Sequence, residues 1–294
     1  MPASIRHLLE MIRFSHTLFA LPFALLSALM AWAANQHCTP PVAFRWQELA
    51  GILLCMAFAR SAAMAFNRLA DRRIDAFNPR TRNRHLPAGV LSAASVAWFT
   101  VVCSAGFVLS TLLFLPNRLP LYAAVPLLLF LFGYSFAKRY TWLSHFWLGA
   151  ALMLAPLAAW VAVRGELASA PLLLGTAVLV WVAGFDIIYA CQDVAFDQGA
   201  GLHSVPVALG VAGSLRVAAL CHLGMVAVLA ALPWAYGSFG TIYYVGVAAI
   251  AALLLYEHWL VRPDDLTRVN RAFFHVNAVV SLGLLAVGAV DLLV

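Results

Sequence analysis

Long apolar runs alternate with short polar or Pro/Gly breaks along the whole chain. The runs fall at 14 to 34, 46 to 67, 92 to 115, 119 to 136, 142 to 163, 170 to 191, 213 to 234, 238 to 260 and 272 to 293. A helix that crosses a bilayer needs about 20 mostly apolar residues, so the pattern predicts nine transmembrane helices in an all-α, polytopic bundle. The break between the third and fourth runs, Leu115-Pro116-Asn117-Arg118, is short enough to require an antiparallel hairpin. The first run follows Arg6 and Arg13 and imitates a secretory signal. It is longer than the roughly 7–15 residues of a signal's apolar core, and further runs follow, so it reads as the first span.

Composition closes off other fold classes. Of the 294 residues, 64% are hydrophobic and 10% charged, with a mean hydropathy of +0.91, whereas soluble domains carry about 25% charged residues. The spans absorb the apolar content, and a single transmembrane domain over 1–294 is expected. The net charge of +6 would suggest nucleic acid in a soluble protein, but here it reports topology. With the N-terminus in the cytoplasm, only Arg45, Arg118 and Arg164 fall in outside loops and Arg60 falls within a span, while all other Lys and Arg lie inside. The positive-inside rule therefore predicts a cytoplasmic N-terminus.

Cys38, Cys55, Cys103, Cys191 and Cys221 show no C-x-x-C spacing, and neither disulfides nor a zinc site is expected. No GxxxxGK[ST], HExxH or GxSxG motif is present, which leaves phosphate-loop and hydrolase readings without support. His145 and His222 read as hydrogen-bonded helix residues rather than ligands; His16, at the start of the first span, is a candidate to reach a cytoplasmic site. No protein partner is inferred.

Two inside loops are long, about 24 residues after the second span and about 21 after the sixth, and long loops in compact domains are more often functional than not. The first opens with Asn67-x3-Asp71-x3-Asp75, three oxygen-bearing side chains on one face at helical spacing. Such a stack repels itself unless a cation sits among the oxygens, and oxygen-only donors suit Mg²⁺. A solvated helix end whose acids pair with Arg72 and Arg73 fits that spacing equally well. The second loop opens with Asp193-x3-Asp197. Both pairs stand at the cytoplasmic ends of even-numbered spans, which fits a two-part metal and diphosphate site better than two unrelated helix ends.

Seven residues before each cluster is a buried charge, Arg60 before Asn67 and Asp186 before Asp193, about 10 Å deeper at 1.5 Å per residue. Charges at that depth face a cavity or each other. Either Arg60 pairs with Asp186, or both line a pocket beneath the metals and orient a polar acceptor. Basic residues lie beside the acids: Arg73, Arg80, Arg82 and Arg84 in one loop, Lys138 and Arg139 in another. Their forks and ammonium groups suit diphosphate oxygens.

These residues resemble a known family. Arg60-x6-Asn67-x3-Asp71-x3-Asp75, followed by Arg80-Thr81-x-Asn83-Arg84-x-Leu86-Pro87-x-Gly89, is similar to the first signature of the UbiA-type intramembrane aromatic prenyltransferases. Asp186-x2-Tyr189-x3-Asp193-x3-Asp197, ending in Gly201-x-His203-Ser204-x-Pro206, resembles the second, and Lys138-Arg139-Tyr140-Thr141 resembles the loop after the fourth helix. The nine spans match that family's fold. The family's relevant members prenylate 4-hydroxybenzoate for ubiquinone or a dihydroxynaphthoate for menaquinone. The stretches from Arg13 to Ala24 and from Gly184 to Asp193 look closer to the naphthoate branch, and Val194, Ala195 and Phe196 stand where ubiquinone-type members carry further acids.

The resemblance implies an enzyme of a bacterial inner membrane, with its site facing the cytoplasm. It would use Mg²⁺ to transfer a polyprenyl group from its diphosphate to a ring carbon of an aromatic acid. Asn67, Asp71, Asp75, Asp193 and Asp197 would hold the metal, Arg73, Arg80, Lys138 and Arg139 the diphosphate, Arg60 the acceptor's carboxylate, and Asp186 or Tyr189 its hydroxyl. Other acceptors (haem, chlorophyllide, glycerol phosphate) remain alternatives within the class. A transporter is the rival outside it, although the acids cluster at one face rather than at the midplane.

Overall fold

The computed structural model describes residues 3–12, 19–33 and 42–294. Arg13, His16 and Cys38 lie outside the described residues. The helices are α1 (Ala3–Met11), α2 (Leu21–Trp32), α3 (Trp46–Phe77), α4 (Ala93–Ser110), α5 (Leu119–Ala137), α6 (Ser144–Arg164), α7 (Ser169–Ala190), α8 (Val194–Gly199), α9 (Val205–Ala235), α10 (Thr241–Leu260), α11 (Val269–Arg271) and α12 (Asn277–Leu293). A 3₁₀ turn, Cys191–Asp193, joins α7 to α8, and a π-helical turn, Ala272–Val276, leads into α12. No β-strand forms among the described residues.

Eight helices are long and apolar enough to cross a membrane, with bounds close to eight of the nine apolar runs. Of the first run, the described residues include the 12-residue α2. The chain is an all-α, multi-pass membrane protein.

In two places the helices overrun the hydropathy pattern. α3 continues ten residues beyond 67, the expected end of the second span, to Phe77. Its polar tail is rich in Arg, Leu and Ala, which favour helix, and it meets neither Gly nor Pro before Pro79, whose ring disfavours helical geometry at Asn78. α9 begins at Val205 rather than near 213, because Ser204 caps it by accepting the Val207 N–H and Pro206 stands in its first turn. Gly210, non-helical at φ 67° and ψ 174°, divides α9 into a short first helix and the long one that follows it, so a break does stand just ahead of the expected start near 213.

The helices group into two compact units, one built from α1 and α3–α5, the other from α2 and α6–α12. In the first, Met11 and Ile12 pack with Ala65, Leu91 and Val96, and Ala62 with Cys103, Phe107, Ala124 and Leu128. Lipid tails are as apolar as leucine, so helices in a bilayer associate through close packing and interhelical hydrogen bonds rather than through burial from water. The second unit uses both. At Gly149 a Cβ would collide with the carbonyl oxygen of Leu179, so α6 lies directly on α7. Buried donors cross between helices: Ser27 Oγ to the Pro156 carbonyl (2.7 Å), Tyr236 Oη to Met30 (2.9 Å) and Trp181 Nε1 to Asn277 Oδ1 (2.8 Å).

Candidate active site

In the first unit the acidic ladder stands on the polar tail of α3. Because the helix is unbroken there, Asn67, Asp71 and Asp75 lie one turn apart on a single face. Asn67 Nδ2 donates to Asp71 Oδ2 (2.9 Å) and Arg68 Nη1 to Asn67 Oδ1 (3.3 Å). Asp75 is buried and pairs with Arg84, whose Nη1 lies 2.7 and 2.9 Å from its two oxygens.

The segment between them is built to make that pairing. Asn78 Oδ1 accepts the Arg80 N–H (2.9 Å), and the buried Thr81 hydroxyl donates to the Asp75 carbonyl (3.0 Å). Together they turn the chain so that Arg84 returns to the helix end. Neither Arg72 nor Arg73 is the partner of Asp75: Arg72 Nη1 donates to the Leu69 carbonyl (2.9 Å), and Arg73 is exposed, as is Arg80. Arg60 sits two turns deeper on α3, with its Nε buried and without a hydrogen-bond partner among the described residues.

In the second unit the helix breaks where the acids begin. α7 gives way to the 3₁₀ turn at Cys191, and Asp193 closes that turn before α8 carries Asp197. Both acids are buried. Lys138 Nζ reaches Asp197 Oδ2 at 3.2 Å, and its own carbonyl accepts the His203 N–H (2.7 Å), which pins the loop before α6 to the segment after α8. From Trp181 to Cys191 every residue is buried except Asp186 and Tyr189. These lie three apart, on one face of α7. Asp186 Oδ2 lies 2.6 Å from His145 Nδ1.

Each unit therefore brings an acid pair together with a cation. Two of the carboxylates' partners were not separable in the sequence. Arg84 was one of four arginines in a basic loop, and its match to the family signature named no partner for it. His145 lies 41 residues from Asp186, too far for any local spacing to link them. A second buried set also lacked a signal: Asn277 Nδ2 donates to Glu257 Oε1 (3.1 Å), and His222 Nδ1 lies 2.9 Å from His258 Nε2, so polar side chains tie α7, α9, α10 and α12 together.

Among the described residues, no three His, Cys, Asp or Glu side chains form a group poised to hold a metal ion. The donor chemistry nonetheless suits a hard cation. All five candidate ligands offer oxygen, and Asp75 and Asp197 each already hold a positive group.

Comparison with known proteins bears on what this arrangement does. The model of the UbiA prenyltransferase family matches residues 20–279. A 4-hydroxybenzoate octaprenyltransferase of Marinobacter nauticus is 35% identical over 221 residues, 75% of this chain and 74% of that protein. One of Aliivibrio fischeri is 31% identical over 249 residues, 83% of this chain and 84% of the relative. Among solved structures, the apo form of a UbiA homolog from Aeropyrum pernix K1 superposes with a TM-score of 0.83 at 32% identity, covering 95% of this chain and 98% of that one. A UbiA homolog from Archaeoglobus fulgidus bound to GPP and Mg²⁺ superposes with a TM-score of 0.74 at 20% identity, over 98% and 100% of the two chains, a likeness of fold.

Proposed function

Because the chain belongs to the UbiA prenyltransferase family, we propose that it transfers a polyprenyl group from its diphosphate to a ring carbon of an aromatic acid, of the 4-hydroxybenzoate or dihydroxynaphthoate type, in ubiquinone or menaquinone synthesis. That it is a prenyltransferase follows from the family. The relatives' activity toward 4-hydroxybenzoate supports the acceptor class. The observation that carries the reading is that each unit ends a membrane helix in an i,i+4 oxygen pair with one buried carboxylate clasped by a basic side chain, Asp75 by Arg84 and Asp197 by Lys138.

Asn67, Asp71 and Asp75, with Asp193 and Asp197, would hold Mg²⁺, which when bound neutralises the diphosphate and stabilises the charge that builds as it leaves. Arg73, Arg80, Lys138 and Arg139 bind the same phosphate oxygens. The prenyl C1–O bond breaks, the diphosphate departs with the electron pair, and an allylic cation remains. The ring carbon attacks it, a C–C bond forms, and the ring loses its proton. Arg60, whose Nε is buried without a partner, takes the acceptor's carboxylate; Asp186 and Tyr189, the two positions of lower α7 that are not sealed in, orient its hydroxyl. The apolar interior keeps water from the cation. The site faces the cytoplasm of a bacterial inner membrane, in line with the distribution of Lys and Arg.

The test is turnover by purified protein in detergent with Mg²⁺, a labelled prenyl diphosphate and a panel of acceptors: 4-hydroxybenzoate, a dihydroxynaphthoate, haem, chlorophyllide and a glycerol phosphate. Prenylated aromatic acid with release of diphosphate is expected. Product only from one of the other acceptors overturns the proposal.

A further inference from the structure

We propose that His145 is a positioning residue that fixes the carboxylate of Asp186 for the aromatic acceptor. The inference rests on the reading that Asp186 binds that acceptor. His145 is the second residue of α6 and is fully buried, while the Asp186 side chain keeps 16% of its exposure. The two meet at 2.6 Å between Nδ1 and Oδ2.

The far side of the imidazole decides which nitrogen carries the proton. Nε2 accepts the backbone N–H of Val205 at 3.4 Å, one of the donors that the first turn of α9 leaves without an intrahelical partner. A ring that accepts at Nε2 carries its proton on Nδ1 and donates it to Asp186. The ring is thus held at both ends, by the start of α9 and by a carboxylate on α7.

Two consequences follow for Asp186. One oxygen is occupied and its orientation set, so the other, Oδ1, has no protein partner among the described residues and is the one left for a substrate hydroxyl. The carboxylate is also held at its outer end by a ring that is itself fixed by the start of α9, so its direction does not depend on a bound substrate. Neither role needs His145 to touch the substrate. Pre-setting a side chain through a neighbour is a common way of holding a site to its working geometry.

Variants of the full-length protein, with KM and kcat measured separately for the two substrates, test this. His145→Leu is expected to raise the KM for the aromatic acid about tenfold or more, the usual effect of losing a hydrogen bond to a charged group, while leaving the KM for the prenyl diphosphate within about twofold. His145→Asn keeps a donor near the Nδ1 position and is expected to recover most of the loss; His145→Gln, whose amide reaches the Nε2 position, is not. Equal acceptor KM for the Asn and Gln variants, or a rise in both substrates' KM together, overturns the proposal, and this pair decides it even if the leucine variant fails to fold. Asp186→Asn separates the two layers. If it leaves the acceptor KM unchanged, the parent reading of Asp186 fails; if it raises that KM while His145→Leu does not, only the role of His145 fails.

Discussion

In the first unit the candidate oxygen ligands ride on an unbroken helix of 32 residues, and the cation that clasps Asp75 comes from nine residues along the chain. In the second, the helix has already broken into a 3₁₀ turn when Asp193 is reached, and the cation on Asp197 comes from 59 residues away. The first arrangement is set locally, by backbone hydrogen bonds and a short built turn. The second draws on tertiary structure, since Lys138 pairs with Asp197 and its carbonyl accepts the His203 N–H, joining segments far apart in the chain. One sequence spacing has two physical bases, and the second is the more easily disturbed.

The largest effects should show that both are needed. Asp71→Ala and Asp193→Ala are each expected to lower turnover by about a hundredfold or more in the assay described above; if one variant keeps its rate, the two clusters are not partners in the same chemistry. Next come the clasping cations, read by thermal unfolding without Mg²⁺. Lys138→Met leaves Asp197, whose side chain is 4% exposed, without its counter-charge and should cost about 2 kcal/mol. Arg84→Met should cost about 1 kcal/mol, since Asp75 is nearer to solvent. Added Mg²⁺ should restore more of the loss in the lysine variant, and equal losses without recovery would mean that the two settings do not differ.

Smaller still are two turn glycines, Gly89 at φ 72° and Gly201 at φ 67°, both with open space where a Cβ would stand. Alanine at either should cost about 1 kcal/mol through the backbone alone. Only Gly201→Ala should also slow turnover, because the adjoining Leu202 N–H is bonded to the Asp197 carbonyl (2.8 Å). Smallest is Glu10→Gln on α1. The neighbouring Arg6 guanidinium holds the Glu10 carboxyl below its ordinary range, so whatever this exposed pair adds is present above that range and fades as pH falls through the lowered value. No shift in the unfolding temperature is expected near neutrality, and a clear one would give this amphipathic segment a larger structural part than its exposure suggests.

What could be read in the sequence follows the same division. Eight of the expected spans were legible because apolar residues in a bilayer must come in runs of a fixed minimum length, and the acid ladder of α3 was legible because helical spacing repeats along the chain. The polar tail of α3 looked like a loop to hydropathy, which registers lipid and not helix propensity. The short helix ahead of Gly210 was missed because only the longer one beyond it forms a sustained apolar run. Within the candidate site, Asp71 and Asp193 could be proposed from spacing, whereas the pairings of Arg84 with Asp75 and of His145 with Asp186 could not. Their partners are chosen by how the turn at 78–84 and the start of α9 are folded.

The length of α3 bears on how the proposed reaction disposes of its products. At 1.5 Å per residue its 32 residues extend about 48 Å, against a hydrocarbon layer of about 30 Å. The helix therefore belongs to two solvents, with its Ile, Leu and Phe in oil and its carboxylates at the edge of water. A prenyl diphosphate has the same divided character, and breaking its C–O bond separates the halves. The diphosphate is released at the aqueous boundary while the prenylated ring remains with the lipid, so the boundary itself sorts the products and opposes their recombination.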